Sequence, residues 1–164
     1  MDLRSRSISA TGLIWLPLAL ALLAFSPAHG QPAAPCPHGL LTGKVTFVRD
    51  GDTIEVAHLP VRLNGLAAPE GHESGGSAAT RAMRGMVLGR IVRCELDGER
   101  THDRCVAVCY LAGQDISETM VRAGLARDCP RFSGGRYRGA EAQAAAAGAT
   151  IGGSYPLPGY CRPR

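Results

Sequence analysis

The stretch from Asp50 to Glu70 reads DGDTIEVAHLPVRLNGLAAPE. Asp50-Gly51 is a turn signal between two runs rich in β-branched residues. Thr53 to Ala57 reads as a strand, and Pro60 opens another, Val61 to Leu63, as proline can at a strand's first residue. Strand alternation puts Val61 and Leu63 on one face and Arg62 with Asn64 on the other. Asp50 and Asp52 also fall on opposite faces. Asp52 is therefore expected to reach into a site while Asp50 supports the turn. Pro69 fixes the backbone ahead of Glu70 and so aims it. Acids and an arginine this close, on paired strands, converge on one small patch suited to a phosphate and a metal ion.

Working outward, Leu41 to Arg49 reads as a strand before the turn, with Val45, Phe47 and Val48. Glu70 to Gly76 is a polar, glycine-rich loop. Ser77 is expected to cap a helix running to about Leu88, with Ala78, Ala82 and Met86 as its apolar stripe and Met83 and Val87 beside it. Gly89 ends it. Arg90 to Leu96 alternates as a fourth strand, Asp97 to His102 reads as a loop, and Cys105 to Leu111 reads as a fifth strand. A short helix starting at Asp115 or Ser117 and stopping at Gly124 follows. Arg131 to Arg138 reads as a basic loop, and Arg138 to Ala147 as an alanine-rich helix. Five strands, a helix between the third and fourth and two C-terminal helices make an α+β, mainly β, chain: a five-stranded barrel of the OB type.

The ends of the chain read differently. Arg4 and Arg6, the apolar run Gly12 to Phe25 and the small residues of Ala28-His29-Gly30 suggest a signal peptide over residues 1–30. The run is short for a membrane span and Pro17 interrupts it. Residues 31–42 form a Pro-rich linker, 43–148 one domain, and 149–164 a tail tethered by a disulfide. No membrane segment is expected after cleavage, so the product is periplasmic or secreted. The net charge of +4 falls to +3 without Arg4, Arg6 and Asp2, which allows an anionic partner. Of the basic residues only Lys44 is a lysine.

All six cysteines lie after the expected cut, and an even count in an exported chain points to disulfides. Cys94 and Cys109 share inward parity on strands four and five and are expected to meet, with Cys105 competing for Cys94. Cys129 and Cys161 would staple the tail, leaving Cys36 with Cys105.

In their order and spacing, DGDTI, VRL, APE, HDRCVA, GQDISETMVRAGLA and EAQA resemble the staphylococcal nuclease (thermonuclease) family over about residues 43 to 148. The resemblance implies an OB-fold nuclease that hydrolyses phosphodiester bonds of DNA or RNA with Ca²⁺; the chain is expected to be a monomer. It implies that Asp52 binds calcium, that Arg62 and Arg104 hold the phosphate, and that Glu70 acts as general base or orients the attacking water. These roles suit the chemistry, because guanidinium forks stabilise charge developing on phosphate oxygens.

The chain departs from the family pattern at several points. Ala67 stands where a second calcium-binding aspartate is expected, leaving Asp52 and the Ala68 carbonyl, so a weak calcium site follows. His102-Asp103-Arg104 replaces a Tyr-Gly-Arg segment. Asp103 is expected to pair with Arg104 or to supply a carboxylate, and His102 to contact phosphate. Phe132 and Tyr137 are the candidates for stacking on bases. The alternative is an OB-fold nucleic-acid-binding module whose catalysis has degenerated, which Ala67 favours.

Overall fold

A computed structural model describes residues 34–149 and 155–163. The expected signal peptide lies outside the described residues. Five strands form the barrel: β1 (His38–Val48), β2 (Thr53–Val56), β3 (Leu59–Leu63), β4 (Ile91–Thr101) and β5 (Arg104–Leu111). β1 pairs antiparallel with both β2 and β4, β2 with β3, and β4 with β5. The parallel pairing of β3 with β5 closes the ring. Closure leaves no free barrel edge. The helices are α1 (Gly76–Val87), α2 (Ile116–Arg122), the one-turn α3 (Pro130–Ser133) and α4 (Arg138–Ala146).

The alternation of each strand fills the interior. Val61 and Leu63 of β3, Val92, Cys94 and Leu96 of β4, and Cys105, Ala107 and Cys109 of β5 are all buried. In β1 the period of two breaks at a bulge between Val45 and Phe47. The extra residue turns both Val45 and Val48 inward and leaves Phe47 half exposed.

Several elements differ from their sequence reading. β1 starts at His38 within the expected linker, because His38 to Lys44 find partners along β4. β4 runs on through the expected loop at Asp97 to His102, since Arg100 and Thr101 pair with Cys105 and Arg104 across the hairpin. Helix α1 is preceded by Gly75, not capped by Ser77. Met83 and Val87 of its expected apolar face are fully buried, together with Ala79, whereas Ala78, Ala82 and Met86 are only partly buried. The expected basic loop after Cys129 begins with the turn of α3. Asp115 caps α2, its carboxylate accepting from the backbone N–H of Ser117 and Glu118.

Three disulfides tie the fold: Cys36–Cys105, Cys94–Cys109 and Cys129–Cys161. Cys94 and Cys109 are direct register partners, whereas Cys105 stands opposite Arg100 and so lies along the strand from Cys94. Cys105 is thereby left to hold Cys36 and the segment entering β1. The third bridge fixes the tail, whose short 3₁₀ turn spans Gly159–Cys161.

The turn before β2 is wedged against two other segments. A Cβ on Gly51 would lie 2.6 Å from the Ala68 Cβ and 2.8 Å from the Ala79 Cβ. Only glycine lets the Asp50–Asp52 turn approach both. Gly51→Ala is expected to lower stability by about 1–3 kcal/mol through overpacking. Urea unfolding of the oxidised protein checks this, and an unchanged midpoint would contradict the close approach.

Candidate functional site

Thr53 and Arg62 are cross-strand partners in the β2–β3 ladder, and Arg62 lies beside Val106 of β5. This register brings the start of β2, the middle of β3 and the start of β5 to one side of the barrel. Four side chains are joined there. The Arg62 Nη1 forms an ion pair with the Asp52 Oδ1. The Thr53 hydroxyl donates to that same Oδ1 at 3.1 Å and accepts from the Arg104 Nη1 at 3.1 Å. Thr53, wholly buried, thus bridges the two arginines through Asp52.

Asp52 is itself buried, and its Oδ2 accepts from the backbone N–H of Ala68 at 3.2 Å. Asp50 supports the turn, its Oδ1 accepting from the Asp52 N–H at 2.9 Å. Burial pushes the Asp50 carboxyl above its ordinary value, and the charge of Arg62 works against that rise. Burial likewise pulls the Arg62 guanidinium below its ordinary value; Tyr160 acts in the opposite direction, and the charge of Arg104 acts with burial.

A cleft of about 420 Å³ opens over this cluster and is lined by Arg62, Glu70, Arg104, His102, Phe132 and Tyr160, among others. Glu70 is exposed and its position is set through the backbone. Its N–H donates to the Glu73 Oε2 at 2.7 Å and its carbonyl accepts from the Glu73 N–H at 2.9 Å. Gly76 makes this possible, since a Cβ there would sit 1.7 Å from the Glu70 carbonyl oxygen.

Arg62, Glu70, Arg104 and Phe132 therefore share one cleft, while Tyr137 does not. Tyr137 is buried, and its hydroxyl donates to the Asp115 Oδ2 at 3.1 Å. Burial pushes its phenol up to about 12, so it keeps the proton it donates. It links α4 to the cap of α2 and is not a stacking surface. Asp103 does not pair with Arg104. It binds Arg49 at 2.6 Å, and that bond holds the Asp103 carboxyl below its ordinary value. His102 does stand beside Arg104, with Nδ1 3.4 Å from Nη2.

The family resemblance implies a calcium ion beside Asp52, and the donors there are already engaged. Both Asp52 oxygens are already bound by protein groups. Ala67 is wholly buried against Cys129, Tyr155 and Cys161. The Ala68 carbonyl, the expected backbone ligand, accepts a hydrogen bond from the Tyr155 hydroxyl at 3.1 Å. Burial raises the Tyr155 phenol, which keeps it a donor. Among the described residues no group of three or more His, Cys, Asp or Glu side chains is placed to hold a metal ion. Calcium needs several oxygen ligands. The residues present do not fit it.

Thr53, Tyr155 and Tyr160 were not singled out from sequence. Thr53 reads there only as a strand former, and both tyrosines lie in a tail without periodicity. Only Cys161 signals that this tail is pinned to the barrel.

The family model described as "Staphylococcal nuclease homologue" matches residues 60–151. Metal-dependent catalysis is typical of that family. The chain is 31% identical over 160 residues to the succinoglycan biosynthesis protein ExoI of Rhizobium meliloti (strain 1021), covering 90% of this chain and 79% of that one. It is 34% identical over 89 residues to an uncharacterized endonuclease of Escherichia coli O157:H7, covering 51% of this chain and 58% of the relative. It is 29% identical over 97 residues to an uncharacterized endonuclease of Haemophilus influenzae (strain ATCC 51907 / DSM 11121 / KW20 / Rd), covering 56% of this chain and 54% of that relative. The chain thus spans little more than half the length of those two endonucleases.

Asp52→Ala strands a mostly buried guanidinium and is expected to cost about 3 kcal/mol of stability. The double change Asp52→Leu with Arg62→Met removes both charges and is expected to cost less. Chemical denaturation of the three proteins checks the ordering, and an Asp52→Ala protein as stable as wild type would refute the pairing.

Proposed function

The chain belongs to the staphylococcal nuclease homologue family, and from that premise we propose that it is an exported nuclease hydrolysing phosphodiester bonds of DNA or RNA by attack of water. The observation that carries this reading is the convergence of Arg62, Glu70 and Arg104 on one cleft. A phosphodiester seated there meets the guanidinium N–H groups that Asp52 and Thr53 leave free. Those groups stabilise negative charge as it develops on the phosphate oxygens. Glu70, exposed at the cleft wall, orients the attacking water and takes its proton. Phe132 offers a ring to an unstacked base. Export is supported by the three disulfides, which persist in oxidising compartments, and by the leader-like composition of residues 1–30.

A second reading, a nucleic-acid-binding module with attenuated cleavage, is favoured by one contact: the Tyr155 hydroxyl on the Ala68 carbonyl, beside the Ala67 methyl. That contact occupies the donor expected to serve calcium. Under either reading the calcium response is weak.

Cleavage of single-stranded DNA by the oxidised protein, with Ca²⁺ and other divalent ions titrated in turn, separates the two. The nuclease reading expects turnover by wild type and a fall of about 10²–10⁴-fold in Glu70→Gln. Ala67→Asp is expected to lower stability and not to heighten the response to Ca²⁺, because Ala67 is buried against Cys129, Tyr155 and Cys161. Salt-sensitive binding with no cleavage at any ion would leave the binding module as the function.

A further inference from the structure

Phe132 and Tyr160 are among the few large hydrophobic side chains left about half exposed, at 54% and 52%. Both line the cleft that holds Arg62, Glu70 and Arg104. They reach it from different parts of the chain, and one covalent bond sets their separation. Cys129 is the residue before α3, and its carbonyl accepts from the Phe132 N–H at 2.9 Å. Cys161 directly follows Tyr160, and its N–H donates to the Pro158 carbonyl at 2.9 Å. The Cys129–Cys161 disulfide joins these two short turns. Both sulfur-bearing residues are buried with Ala67 and Tyr155, and the Tyr155 hydroxyl anchors the same tail to Ala68. The tail beneath Tyr160 is therefore pinned at two points while the ring stays open to the cleft.

We propose that Tyr160 is a base-contact residue of the phosphodiester site, held there by the Cys129–Cys161 disulfide, so that the tail forms a second aromatic wall facing Phe132. The occupant is an unstacked base of a single-stranded nucleic acid. A base of an intact duplex is already stacked between its neighbours and has no free face to offer. This rests on the reading of Arg62 and Arg104 as phosphate ligands, which supply the anchor for the adjoining phosphates. Stacking on one aromatic side chain tightens binding by roughly 5- to 150-fold per base.

Fluorescence anisotropy with two probes tests it: a short oligothymidylate and an abasic single strand of the same length and charge. The host is the oxidised full chain carrying Glu70→Gln, so that the probe is not cut. The parent is expected to bind oligothymidylate at least about tenfold more tightly than the abasic strand. Tyr160→Ala is expected to erase most of that preference while leaving abasic affinity within about twofold, and Tyr160→Phe to preserve it. Cys129→Ala with Cys161→Ala keeps the ring but removes the covalent bar, and is expected to behave like Tyr160→Ala. A preference that survives Tyr160→Ala overturns the proposal, as does a parent that binds both probes equally, and in either case the phosphate site stands. A parent that binds neither probe overturns the phosphate-site reading and this proposal with it.

Discussion

The buried carboxylate of Asp52 organises this molecule's cleft. It neutralises Arg62, accepts from Thr53 and, through Thr53, positions Arg104. Its second oxygen pins the Ala68 amide, so the segment leading to Glu70 is tied to the same atom group. Taking an arginine out of water is unfavourable unless a partner compensates for the lost hydration. One acid supplies that compensation and, in the same act, holds two guanidinium groups at the cleft. Breaking it would disturb fold and site together.

The C-terminal tail completes the arrangement on the other side. Cys161 and Tyr155 pack against Ala67, where a longer acidic side chain would collide with an apolar cluster. The Tyr155 hydroxyl then satisfies the Ala68 carbonyl that would otherwise face the cluster unpaired. Ala67, Tyr155 and the Cys129–Cys161 bridge thus make one consistent unit: a small residue, a hydroxyl for the stranded carbonyl and a covalent bond that holds the hydroxyl in place. Export into an oxidising compartment, as proposed, would keep that bond formed.

Much of this was legible in the sequence because alternation is a local signal. The parity of Val61, Arg62 and Leu63 put the arginine outside the core, and the inward parity of Cys94 and Cys109 brought them together across two strands. What the sequence hid depends on partners far along the chain. β4 outruns its alternating stretch because β5 continues to pair with it. Helix α1 turns Ala79 inward beside the expected Met83 and Val87, a choice set by what it packs against and not by its own sequence. Tyr137 carries the right ring for stacking, yet Asp115 claims its hydroxyl and buries it. Tyr160 shows no pattern at all, since its place is set by a disulfide to a cysteine in another segment. Asp103 pairs with Arg49, distant in sequence, and not with its neighbour Arg104.

Protein groups around Asp52, and not a calcium ion, hold Arg62 and Arg104 in place. The most direct test of this is the affinity of the oxidised Glu70→Gln chain for single-stranded DNA, measured at one ionic strength in chelator and again in excess calcium. The two affinities are expected to agree within about twofold, because a ligand without differential affinity shifts nothing. Binding that appears only when calcium is added would contradict it.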